Sequence, residues 1–129
     1  MAEFTDYLEN ELLDHAFGEG VRDFTSPTGI VVALSTTTIS DDGTGITEPG
    51  TGGYARQAVT FGAAASGTTS NSLQVDFTAS GAGFGTIVAM AIYDSTTNML
   101  CYDNDMTDTL INDGDTLRFA VGDIDISLD

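Results

Sequence analysis

Lysine is absent from this chain of 129 residues, and only Arg22, Arg56 and Arg118 oppose twenty aspartates and glutamates. A formal net charge of -17 at pH 7 excludes nucleic acid as a partner, because affinity for a phosphate backbone comes from cations that displace its counterions. Charge of one sign on this scale also repels itself, and salt, cations or a more basic surface relieve it. Adaptation to a saline habitat and matching to a basic partner account for it equally. A lone cysteine, Cys101, rules out an intramolecular disulfide, so the fold stands on packing and the thiol is expected to sit inside as a small hydrophobe. No apolar run approaches the ~20 residues that span a bilayer, which excludes a membrane-crossing helix. No basic segment followed by an apolar run opens the chain, so no secretory signal is read and synthesis in a cytoplasm is expected.

What is present begins with a helical period. Phe4, Leu8, Leu12 and Ala16 recur every four residues, with Leu13 and Phe17 beside them. This predicts an amphipathic helix over 5–17. Thr5 is the expected N-cap, Glu3, Asp6 and Glu9 suit the positive end of the helix dipole, and Gly18 and Gly20 stop it. A helix so short is marginal alone, so its apolar face must rest on the sheet or on a neighbour.

After Pro27 the pattern turns to strands. Ile30 to Leu34 reads as a strand covered on both faces, and so does Ile87 to Tyr93, which a turn at 94–98 joins to a partner at Met99 to Tyr102. Leu73 to Thr78, Leu117 to Val121 and Ile124 to Leu128 alternate apolar and polar, as half-buried strands do. Asn112 to Asp115 is a tight turn. The polar stretch from Ser35 to Gly53 exceeds the ~12–15 residues of a passive connector and is expected to reach outward. Gly62 to Asn71 reads as a loop, and Gly81 to Gly85 as a bend before the central strand. The sum is a mainly β fold: an antiparallel β-sandwich, Ig-like or jelly-roll-like, with one N-terminal α-helix. A single domain over 1–129 is expected, with the helix at 5–17 and the sandwich at 29–129.

Candidate chemistry is sparse. Asp103, Asp105 and Asp108, and the pair Asp113 and Asp115, cluster oxygen ligands as calcium requires, but the full calcium loop is missing and aspartate caps turns in any case. Turn chemistry is the expected reading, with no metal and no cofactor. Asp123 and Asp125 read as a solvated strand face. His15 and Asp14 are adjacent on a helix and point apart, and Cys101 has no activating histidine, so no catalytic residue is assigned. Arginine is the residue type that grips a carboxylate in two places. Arg56, next to Tyr54, is therefore read as a structural or interface anchor, bound to an aspartate of its own chain or to a neighbour. Tyr54 and Tyr93 are expected as amphipathic anchors whose hydroxyls need partners. Arg22 and Arg118 complete the anchor set.

Several ordered segments carry a resemblance: Asp6-Tyr7-Leu8-Glu9, a strand ending in Ala33-Leu34, Gly52-Gly53-Tyr54-Ala55-Arg56-Gln57, Ile92-Tyr93-Asp94 and Gly114-Asp115-Thr116-Leu117. In this order the chain resembles small tailed-phage virion proteins described as tail fibre proteins, from about residue 6 to its end. The resemblance implies a non-enzymatic virion structural protein, made in the host cytoplasm, with other virion proteins as partners. Within that class the short acidic chain, without the repeats or coiled coil of a fibre shaft, is read as a capsid decoration or cement protein on the major capsid protein. The alternative is a tail fibre or tail-associated protein. A receptor-binding or glycan-binding module using 35–53 is a further reading. Symmetric attachment sites lead to the expectation of a homo-oligomer.

Overall fold

The computed structural model describes residues 2–18, 27–94 and 97–128. Within them lie β1 (Glu3–Phe4), α1 (Asp6–Phe17), β2 (Val31–Ser35), β3 (Gln57–Ala58), β4 (Thr68–Ser70) and β5 (Val75–Thr78). There follow β6 (Gly85–Ile87), β7 (Ala89–Tyr93), β8 (Met99–Asp103), β9 (Thr109–Ile111), β10 (Thr116–Phe119) and β11 (Asp125–Ser127). The described residues are mainly β and antiparallel, with one N-terminal helix. A five-stranded sheet in the order β1-β8-β7-β2-β3 forms one layer, and three two-stranded ribbons, β10-β5, β11-β4 and β6-β9, pack against it like the second half of a sandwich.

The central pair β2 and β7 shows why the layers stack as they do. Their register runs from Val31 opposite Tyr93 to Ser35 opposite Ala89. Successive side chains alternate between faces, and here size alternates too. Val32, Leu34, Met90 and Ile92 point into the main core with Val75, Phe77, Ile87 and Ile111 of the ribbons. Ala33, Ala89 and Ala91 point the other way, into a smaller cluster with Ile39, Tyr93, Met99 and Tyr102. The small residues leave room on that face for irregular chain, and it is the segment between β2 and β3 that lies there.

This overturns the outward-reaching loop. Ile39 is buried and Ile46 packs on the same cluster. Asn104, just beyond β8, clamps the Ile39 backbone from both sides: its Oδ1 accepts the Ile39 N–H and its Nδ2 donates to the Ile39 carbonyl, each at 2.8 Å. The buried Ser35 hydroxyl accepts from the Thr47 N–H at 3.0 Å and donates to the Thr37 carbonyl at 2.7 Å. Polar composition misled the reading because these side chains satisfy the loop's own backbone rather than water.

Other expectations shift for local reasons. Gly62 to Asn71 contains β4, paired with β11. The apolar run at 87–93 divides at Val88, so that β6 joins β9 while β7 joins the central sheet. Leu73, Val121 and Leu128 fall outside the strands and are exposed. Thr5 does cap α1, its hydroxyl accepting from the Leu8 N–H and donating to the Met99 carbonyl at 2.6 Å, which ties the helix start to β8. Gly18 ends the helix where a Cβ would meet the Asp14 carbonyl oxygen at 2.4 Å.

Asn71, 1% exposed, was absent from the expected set and holds the ribbon side together. Its Nδ2 donates to the Leu73 and Ala120 carbonyls, and its Oδ1 accepts from the Gly122 and Ile124 N–H groups. Truncation removes all four bonds at once and leaves the buried Ile124 N–H without its acceptor. Asn71→Ala is expected to lower stability by about 3 kcal/mol, read as a reduced urea midpoint with an unchanged slope.

Candidate functional site

Three of the five expected anchor residues meet in one cluster where the long loop returns to the sheet. The return begins at Gly52 and Gly53, both left-handed with φ of 70° and 67°. Gly52 lies so close to the neighbouring segment that a Cβ would meet the Ala82 carbonyl oxygen at 2.5 Å. There the Ser80 N–H donates to the Gly52 carbonyl at 3.0 Å and the Thr51 hydroxyl to the Gly83 carbonyl at 2.7 Å. The turn sends Tyr54 inward. Its ring stacks on Phe77 at 6.1 Å and meets Phe84 edge-on at 5.7 Å.

The Tyr54 hydroxyl lies at the end of a ladder. β3 pairs with β2 only at Val31 and Val32, so the buried Leu34 N–H has no strand partner on that side. Tyr54 supplies one: its hydroxyl accepts the Leu34 N–H at 2.9 Å and donates to Glu48 Oε1 at 2.7 Å. Arg56 takes the same carboxylate with both arms of its fork, Nε to Oε1 at 3.0 Å and Nη2 to Oε2 at 2.9 Å. The guanidinium lies 3.8 Å from the centroid of the Tyr93 ring, within cation–π range. Glu48 from the loop, Tyr54 and Arg56 from its return, and Tyr93 from β7 therefore form one chain of contacts reaching into the sheet.

The electrostatics fix the protonation states. Burial pulls the Glu48 carboxyl upward, but hydrogen bonds from Arg56 and Tyr54 outweigh it and leave the group below the usual carboxylate range. Burial, followed by the hydrogen bond to Glu48, holds the Tyr54 hydroxyl far above its ordinary value. Arg56, bonded to Glu48, is raised further still. No member of the trio changes charge near neutrality. The arrangement joins the loop to the sheet.

Arg118 forms a separate pair. It lies opposite Asp76 in the β5–β10 register and grips it through Nε at 2.7 Å and Nη2 at 2.9 Å. Arg22 and Gly20 lie outside the described residues. The expected aspartate partner of Arg56 proves to be a glutamate, Glu48, the lone acid between Asp42 and Asp76. That isolation was the available signal. Elsewhere aspartates cap their own turns, Asp42 accepting from Thr44, Asp103 from the Asp105 N–H, Asp115 from the Asn112 N–H and Asp123 from the Ala120 N–H, while Asp113 reaches across to accept from the Gly81 N–H. Cys101 is buried, and that burial, with the nearby Asp103, pushes its thiol up to about 12.

With this geometry in place, the comparisons add one match. The sequence model of the family described as Podophage GP4 fiber I protein gp80 matches residues 3–127. No curated protein matches the chain.

Arg56→Ala removes two charge-assisted hydrogen bonds and a ring contact at a partly exposed site, and is expected to cost about 1–2 kcal/mol. Differential scanning calorimetry should show a melting point lower by roughly 4–8 °C. Because the folded Glu48 carboxyl lies below its unfolded value, its contribution is present above the ordinary carboxylate range near pH ~4.3 and is lost as pH falls through the folded value. The melting point should therefore hold level as pH falls from 7 to about 5 and drop below that, and Glu48→Gln should make that acid-side drop shallower.

Proposed function

The chain belongs to the Podophage GP4 fiber I protein gp80 family, and on that premise we propose that it is a structural protein of the phage tail, part of or attached to a fibre. The match over 3–127 carries this reading, since it takes in both the helix and all the strand segments. A virion location follows from the same family. Shell decoration was argued from compactness and acidity, which suit any water-facing virion surface, and it gives way to the fibre description.

The partners are other virion proteins, met by shape and charge. We read the chain as non-catalytic: Asp115 and Asp123 cap turns, Glu48 and Asp76 hold arginines, the buried thiol is held protonated, and the trio around Glu48 does not titrate near neutrality. The loop at 35–53 offers less to a receptor or glycan than its length suggested, because Ile39 and Ile46 fix it to the sheet.

Immunogold labelling of intact particles tests the location. Gold on the tail is expected; gold distributed over the head facets would reject the fibre reading and restore shell decoration.

A further inference from the structure

The helix α1 is held at one end and bare at the other. Thr5 ties its start to β8, the Asp6 N–H donates to the Asp41 carbonyl at 3.1 Å, and Leu8 packs against the main core. Beyond that point no helix residue is buried. Leu13 is 57% exposed and Phe17 82%. Glu9, Leu12, Leu13, Ala16 and Phe17 fall at the spacing of i, i+3, i+4, i+7 and i+8, which places them on one stripe. Phe4, Leu12, Leu13 and Leu128, with Glu9 at the edge, line a mostly apolar groove of about 290 Å³. Leu128 is itself 63% exposed. An apolar stripe that continues past its own sheet contact is the mark of a face awaiting a partner.

Charge selects the partner. α1 carries Asp6, Glu9, Glu11 and Asp14 and no lysine or arginine, and its C-terminal end adds the negative pole of the helix dipole next to Phe17. A second copy would bring another -17 charges to the same place. It would also bring no available cation from the described residues, since Arg56 and Arg118 are committed to Glu48 and Asp76. We propose that the stripe and groove of α1, with Leu128, dock a lysine- or arginine-flanked apolar segment of a different virion protein, the acids of α1 meeting its cations around an apolar centre. The proposal rests on the reading of the chain as a virion component, but not on its place within the particle.

The test supplies variants in trans to phage lacking the gene and counts copies per purified particle. Leu13→Gln with Phe17→Gln removes apolar surface while keeping good helix formers, and Glu9→Lys reverses charge at the groove edge. Leu110→Gln, at a residue 59% exposed on β9, is the control. Incorporation of the double variant and of Glu9→Lys should fall by at least about tenfold, as for loss of a central interface anchor. Melting points of the double variant and of the Leu110 variant should be unchanged, and the Leu110 variant should incorporate normally. Wild-type incorporation of the double variant would overturn the proposal. So would concentration-dependent self-association of the pure chain that the double variant abolishes, since the face would then belong to a second copy. Gold on the head with incorporation still dependent on Leu13 and Phe17 would reject the fibre reading and leave this surface standing.

Discussion

An irregular segment that lies on a sheet must satisfy its backbone polar groups without a ladder, because water is excluded from one side and strand partners are missing on the other. Here that demand falls on the chain between β2 and β3, which covers the alanine-lined face of the central sheet. Side chains meet it one by one: Asn104 for Ile39, Ser35 for Thr47, and Tyr54 for the Leu34 N–H left over where β3 ends. The contact of Glu48 with Tyr54 and Arg56 closes the set. Without it the second face of the sheet would be open, and the apolar run of β7 would have only one side to bury.

The same demand explains how a chain of -17 charges stays compact. Each aspartate that accepts from a turn N–H exchanges hydration for a fixed, charge-assisted hydrogen bond, and two of the three arginines are placed where they neutralise one carboxylate each. Among the described residues, Asp6, Glu9 and Asp14 of α1 face outward. A surface so rich in one sign of charge favours basic neighbours.

Strand identity was legible because burial on two faces leaves unbroken apolar runs, and burial on one leaves alternation; β2, β5, β7, β8 and β10 follow those patterns. The helix was legible from its apolar recurrence every four residues and its threonine cap, although none of its residues is buried. The loop was not. Its two isoleucines are diluted among threonine, glycine and aspartate, and the alanines that receive them lie on other elements, so the covering contact exists only in three dimensions. Arg56 stood out as one of three cations, and its tyrosine neighbours with it, but the identity of its partner depends on where Glu48 is carried by the intervening turns. Asn71 gave no signal at all: a single amide in a small-residue stretch looks the same whether solvated or holding four backbone groups. The place in the virion was not encoded in composition, since acidity and compactness suit head and tail alike.

Amide hydrogen exchange reads the central claim directly, because an outward loop and a loop fixed to the sheet differ most in backbone protection. The account predicts that the N–H groups of Leu34, Ile39 and Thr47 exchange as slowly as those of β2 and β7, and that the protection of Leu34 disappears in Tyr54→Phe. Exchange of Ile39 and Thr47 at the rate of an unstructured peptide, with β2 still protected, would contradict it.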